Sequence, residues 1–197
     1  MPLNNDNNDK RAKFDASPVA RIIGNEIFEW VEPLNMREIR AKVIPWMETQ
    51  GYFREDYVND DTGWDNIAIT QNGIINCIAH GSGPEKIQAF AAMPEMIRNG
   101  ILIRTRPSDK EGQRDMKEHI FAAKVDIGDK SKLVGFVIKE DSNGRRFYDH
   151  ELTEIKNLDG LTPQAGAAGL DTGKADRTRQ GSVIKIIQNF LKINTPK

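Results

Sequence analysis

Three β-rich stretches, separated by little more than turn signals, fill residues 119–156 and constrain this chain more than any other feature. They run over about 119–127, 132–140 and 145–156. Residues 128–131 separate the first two and Asn143-Gly144 interrupts the next step. Connections this short cannot hold a crossover, so neighbouring strands must run antiparallel.

Upstream the period is mostly helical. Asn35 is placed to cap a helix over 35–50, with Met36, Ile39, Val43 and Met47 at helical spacing, a kink at Pro45 and a stop at Gly51. Ser82, Pro84 and Glu85 predict a second, boxed helix start, with Ile87, Phe90 and Ala91 on its apolar face. Pro94 opens a further short turn of helix that stops at Gly100. Between these helices, Asn66–Thr70 and Ile74–Ala79 read as extended around the Asn72-Gly73 turn signal, with helix as the alternative for the second stretch. Residues 101–105 read as a strand and 106–117 as a charged loop.

That order predicts an α+β fold: N-terminal helices packed on one face of an antiparallel β-sheet meander, with a C-terminal helix. The other face is expected to be open. Residues 1–17, rich in Asn and Asp, read as a disordered tail, and 18–157 as the domain. Residues 158–181 read as a flexible linker. In the final helix, 182–197, Val183, Ile186, Ile187, Phe190 and Leu191 share a side.

Charge and composition remove several classes. A net charge of -1 provides no global basic field for nucleic acid, so any such binding needs a local patch. The single cysteine, Cys77, excludes an internal disulfide and a cysteine-based zinc site, and its isoleucine neighbours predict a buried thiol. Three histidines at this spacing match no zinc motif, and no P-loop, dinucleotide fingerprint or serine-hydrolase elbow is present. No metal or cofactor is expected. No apolar run is long enough for a bilayer, and the polar N-terminus lacks a signal-peptide core. The expected location is the cytoplasm, or a target cell reached without a cleaved signal.

A two-residue loop at Asn143-Gly144 pairs Ser142 with Arg145, Lys139 with Tyr148 and Val137 with His150. Lys124, Lys139, Arg146, Tyr148 and His150 then share the open face with Ile120, Ala122 and Val137. Phe121, Ala123, Val125, Phe136, Ile138, Glu140 and Phe147 fall on the core face. A Lys/Arg/Tyr/His surface is commonly just a solvated sheet face. It also holds the groups for RNA cleavage without metal: an acid, a base and cations for the phosphorane charge. His119 falls on the core side near Glu140, as a satisfied core histidine or a functional one. His80, just before the capped helix, is in reach of a phosphate at that helix start. Ser82 reads as the cap rather than a nucleophile. Lys86 and Lys124 are the candidate RNA-binding cations.

Asn72-Gly73-Ile74-Ile75, His80-Gly81, Lys86-Ile87 and Met93-Pro94-Glu95-Met96-Ile97 form one half of a wider pattern. His119-Ile120-Phe121-Ala122-Ala123-Lys124-Val125, residues 134–140, Gly144 and Phe147-Tyr148-Asp149-His150 form the other. The pattern, over residues 65–156, resembles domains of the large polyvalent proteins of phages and conjugative elements. Several of these are similar to the nuclease superfamily of barnase, EndoU, the RNase colicins and RelE. The resemblance implies helices followed by an antiparallel sheet, and RNA cleavage without metal. His80, His119, Tyr148 and His150 match its polar anchors, while the Lys/His pairs of better-known nucleases have no matched counterpart here.

Two functions of different class follow. The first is a metal-independent endoribonuclease, toxin or phage effector, with RNA as substrate, His80, His119, Lys139, Arg146, Tyr148 and His150 as its catalytic set, and a cognate inhibitor or host protein as partner. The alternative is a non-catalytic mobile-element protein that binds a host factor or a larger assembly. A third, weaker reading is a hydrolase of small phosphoesters. Convergence of His80, His119, Tyr148 and His150 on one pocket would favour the first.

Overall fold

The computed structural model describes residues 5–29, 34–79, 83–108, 115–148 and 154–157, with Ile186, Ile187 and Phe190. In chain order its elements are α1 (Asn5–Ala16), β1 (Val19–Ile22), α2 (Met36–Thr49), β2 (Tyr57–Asn59), β3 (Trp64–Ala68) and α3 (Gln71–Ala79). There follow α4 (Pro84–Gln88), a 3-10 turn (Ala89–Ala92), α5 (Met93–Asn99), β4 (Ile101–Pro107), β5 (Lys117–Ile127), β6 (Lys130–Glu140), β7 (Arg146–Tyr148) and β8 (Glu154–Asn157). The fold is α+β.

The β5–β6 hairpin, 11 residues per strand, is the spine of the sheet. Each of its edges carries two short strands in succession. β4 runs antiparallel along the start of β5, and β1 runs parallel along its end. β8 and β7 both run antiparallel to β6. β3 then joins β7 in parallel and β2 closes that side. The meander expected for 119–156 is therefore present, extended by two parallel pairings that the sequence did not suggest.

Turn chemistry decides which side chains face where. Ile127 pairs with Lys130 around Gly128-Asp129, and Gly128 has φ 61°. This loop is two residues shorter than expected, and an even shift leaves every side chain on its expected face. The next turn differs. Asp141 N–H donates to Arg145 O at 3.0 Å, and Gly144 N–H donates to Asp141 O at 3.0 Å. The Asp141 carboxylate accepts from Asn143 N at 2.9 Å and Arg145 N at 3.0 Å. With Gly144 at φ 78°, this is a three-residue loop ending on a left-handed glycine. Ile138 therefore pairs with Tyr148 and Glu140 with Arg146. The change is one residue, so β7 is flipped: Tyr148 joins the helix side and Phe147 leaves it.

The helix side buries Phe121, Val125, Phe136, Ile138 and Tyr148 against α2, α3 and α5, with Cys77 fully buried among them. The opposite side is not open. Ile120, Ala122, Leu133 and Val137 are covered by Phe14 of α1 and by Ile187 and Phe190. The Phe14 and Phe190 rings meet edge-on at 6.3 Å. The expected tail thus contains a docked helix, because Phe14 supplies an apolar anchor. Its C-terminal end accepts from Lys124 Nζ at Asp15 O, 2.9 Å, a cation at the negative end of a helix dipole. Ile186, Ile187 and Phe190 are helical, and the rest of the expected final helix lies outside the described residues. The expected linker, 158–181, lies outside the described residues.

α2 starts as its sequence predicts, with Asn35 Oδ1 accepting from Arg37 N and Glu38 N while Glu38 accepts from Asn35 N. α4 does not. Its cap is Gly83, and Glu85 reaches Lys132 at 2.7 Å instead of closing a box. Ser82 lies outside the described residues. Asn72-Gly73 forms no hairpin either; it sits in the first turn of α3, where Gly73 N–H donates to Thr70 Oγ1 at 3.1 Å. A Cβ on Gly73 would lie 2.7 Å from the Tyr148 carbonyl oxygen. Gly→Ala inside a helix ordinarily gains about 1 kcal/mol. Here the close approach reverses the sign: Gly73→Ala is expected to cost about 1–3 kcal/mol, read as a lower urea midpoint. A raised midpoint would contradict this packing of α3 on β7.

Candidate functional site

β4, β5, β6, β7 and β3 bring one compact polar cluster together at the end of the sheet. His119 of β5 lies on its helix side and is 4% exposed. Its Nδ1 is 2.9 Å from Thr105 Oγ1. Its Nε2 is 3.6 Å from Glu140 Oε2, too far for a hydrogen bond but near enough for the charge to be felt. The Trp64 ring stands edge-on to the imidazole at 4.7 Å and to Phe121 at 5.9 Å.

Arg146 ties the cluster together. Its guanidinium lies 4.2 Å over the Trp64 ring. Its Nε donates to Glu140 Oε2 at 2.8 Å and its Nη1 to Asn66 Oδ1 at 2.9 Å. Lys117 Nζ donates to the other Glu140 oxygen at 3.1 Å. Lys117, Glu140 and Arg146 are register partners on three adjacent strands, which is why they meet.

Electrostatics follow from these distances. Burial pushes the His119 imidazole below its ordinary value; Glu140 opposes that, and Arg146 and Lys117 reinforce it. The ring is neutral at pH 7. Burial alone would raise the Glu140 carboxyl, but the Lys117 hydrogen bond and the Arg146 charge hold it below its ordinary value. The arrangement is a neutral imidazole beside a compensated carboxylate.

A cleft of about 340 Å³ opens beside Arg146, lined among others by Asn66, Thr70, Asp141, Arg145 and Phe147. Arg145 is held by Asp141 at 2.8 Å, so both arginines of this cleft already have carboxylate partners.

Of the expected catalytic residues, the structure brings together His119 and Arg146. Tyr148 is fully buried on the helix side, its ring 6.2 Å from that of Phe136. Lys139 is 2% exposed on the opposite face, where its register partner is Glu118. The one-residue flip of β7 separates this pair, and Lys139 is itself buried on the second face. Lys124 is half-buried under α1, where burial lowers its pKa and Asp15 opposes the shift. Lys86 sits on α4, whose Glu85 is anchored at Lys132, eight residues along β6 from Glu140 and so roughly 26 Å away. His80 and His150 lie outside the described residues.

Glu140 was legible only as a neighbour of His119. Trp64, Asn66, Thr105 and Lys117 carry no local sequence signal of a site. Trp64 and Asn66 arrive through the parallel β3–β7 pairing, which joins residues about eighty positions apart and leaves no local signal. Among the described residues no group of three or more His, Cys, Asp or Glu is placed to hold a metal ion. No described helix is long and apolar enough to cross a membrane.

A family model described as large polyvalent protein-associated domain 3 matches residues 35–148, more than half of the chain. No curated protein and no solved structure matches.

Proposed function

Because this chain belongs to the large polyvalent protein-associated domain 3 family, we propose that it serves as a non-catalytic binding module in phage or mobile-element biology, engaging a host factor or a larger assembly. One observation carries this reading. The sheet face on which an RNase site was expected is covered by α1 and by Ile187 and Phe190, and the expected pair Lys139 and Tyr148 points to opposite sides. A general acid or base must reach the proton that it transfers, and groups this buried do not.

The test is incubation of purified chain with mixed RNA substrates in EDTA, with product ends identified by mass spectrometry. This reading predicts no cleavage above buffer. Accumulation of 2′,3′-cyclic phosphate ends, lost on replacement of a residue of this chain, would overturn it.

A second reading keeps the nuclease resemblance in reduced form. It is favoured by the neutral imidazole 3.6 Å from Glu140, beside Arg146 at the wall of the cleft. Here His119 would be the base, once local opening exposed it, and Arg146 would face the phosphorane charge. On that reading the same RNA assay shows cleavage, and His119→Ala lowers the rate by about 10²–10⁴-fold.

A further inference from the structure

β3 is held to the sheet by little backbone. Its pairing with β7 covers Ile67 with Arg146 and Ala68 with Phe147. The polar part of this seam runs through Arg146, which reaches back to Glu140 on β6 and forward to Asn66 and Trp64 on β3. His119 touches both ends of that bridge: its ring packs on Trp64, and its Nε2 looks at the oxygen of Glu140 that Arg146 occupies. Nε2 is buried and has no hydrogen-bond partner among the described residues.

We propose that His119, Glu140 and Arg146 form a proton-operated latch, which holds β3 against β7 while His119 is neutral and releases that seam when His119 takes up a proton. Both ring nitrogens of an imidazolium are donors. Nδ1–H has Thr105 Oγ1 at 2.9 Å, whereas Nε2–H has to close the 3.6 Å gap to Glu140 Oε2. That oxygen already accepts from Arg146 at 2.8 Å. Drawing the carboxylate towards His119 loosens its hold on Arg146, so the bridge from β6 to β3 loses its anchor.

Charge acts in the same direction. The charged groups that face His119 are Glu140 from β6, Arg146 from β7 and Lys117 from its own strand; β3 presents Trp64 and β4 presents Thr105. A protonated ring makes three cations around one carboxylate. Burial first, and then the two cations, already resist that proton, so it enters as acidity rises and folding free energy falls with it. The sign is fixed by the direction of the shift. A lowered folded-state value means that the unfolded chain binds more protons, so the stability is fully present above the ordinary histidine value of 6.5 and is lost as pH drops below it. Because Asn66, Ala68, Arg146 and Phe147 line the cleft, the latch also couples the shape of the cleft to pH.

The test is amide exchange of the full chain between pH 7.5 and 5, corrected for intrinsic rates, alongside NMR titration of the His119 ring. Protection of Trp64–Ala68, relative to the centre of β5 and β6, is expected to fall by at least about tenfold with the midpoint of the His119 titration. His119→Gln, which keeps a partner for Thr105 but takes no proton in this range, is expected to abolish that step. Protection of Trp64–Ala68 that is constant or rising through the His119 midpoint overturns the latch. The wild-type titration alone decides the matter if the variant does not fold.

Discussion

Asn59→Asp is expected to be among the most damaging single substitutions in this chain, at about 3–5 kcal/mol near pH 7. Asn59 is completely buried at the end of β2. Its amide nitrogen donates to Ile97 O at 2.6 Å and Gly100 O at 2.8 Å. Its Oδ1 accepts from Thr62 N at 2.9 Å and Thr62 Oγ1 at 2.8 Å. One side chain thereby joins α5 to the β2–β3 turn. The replacement keeps the size but points a carboxylate oxygen at two carbonyl oxygens without water. The introduced group resists ionisation, so its folded-state pKa is raised. A raised carboxyl value means that the folded state holds the extra proton, so the deficit shrinks as pH falls through that value towards the ordinary range near 4. Urea midpoints at pH 7 and pH 4.5, each compared with wild type at the same pH, read both effects. A deficit under about 1 kcal/mol at pH 7, or one that grows at pH 4.5, would show that Asn59 does not make these bonds.

Phe136→Ala is expected to cost about 3–5 kcal/mol. Phe136 is fully buried on the helix side, stacked on Phe121 at 5.3 Å and near Tyr148 at 6.2 Å. Those rings come from β5, β6 and β7, so the cavity opens in the close-packed core where three strands meet. Gly100 also packs against the ring, leaving no room for a Cβ: one placed there would lie 2.7 Å from Phe136 Cζ. Phe136→Leu keeps most of the volume and is expected to cost under about 1.5 kcal/mol, the ordinary range for hydrophobic exchanges that nearly conserve volume. Equal losses for the two variants would argue against close packing at this point.

The sequence carries the β5–β6 hairpin, the Asn35 cap of α2 and the burial of Phe121, Phe136 and Ile138 in its local patterns, and these are the parts of the fold that could be read. Each rests on contacts between near neighbours or on a strong period. The candidate site depended on something finer. Asn143-Gly144 reads as a two-residue loop, but Asp141 folds its carboxylate over the amides of Asn143 and Arg145 and makes a three-residue loop instead. That single residue moved Tyr148 into the core. The second error came from α1, whose polar composition hid the one aromatic anchor, Phe14, that docks it. With α1 in place the second face of the sheet is covered, and a solvated catalytic surface becomes a second small core. Trp64 and Asn66 depended on a parallel pairing of distant segments, for which no local pattern exists.

Burial of the residues expected to form an RNase site on the second face is the premise of the functional proposal, and lysine reactivity measures it at Lys139. Native chain treated briefly with an amine-acylating reagent and mapped by mass spectrometry should be modified readily at Lys117, whose side chain is 61% exposed. Lys139, at 2% exposure, should react at least about tenfold more slowly, because it must wait for local opening. Equal rates at Lys139 and Lys117 would mean that the face is open to solvent, and the proposal of a non-catalytic module would lose the observation on which it stands.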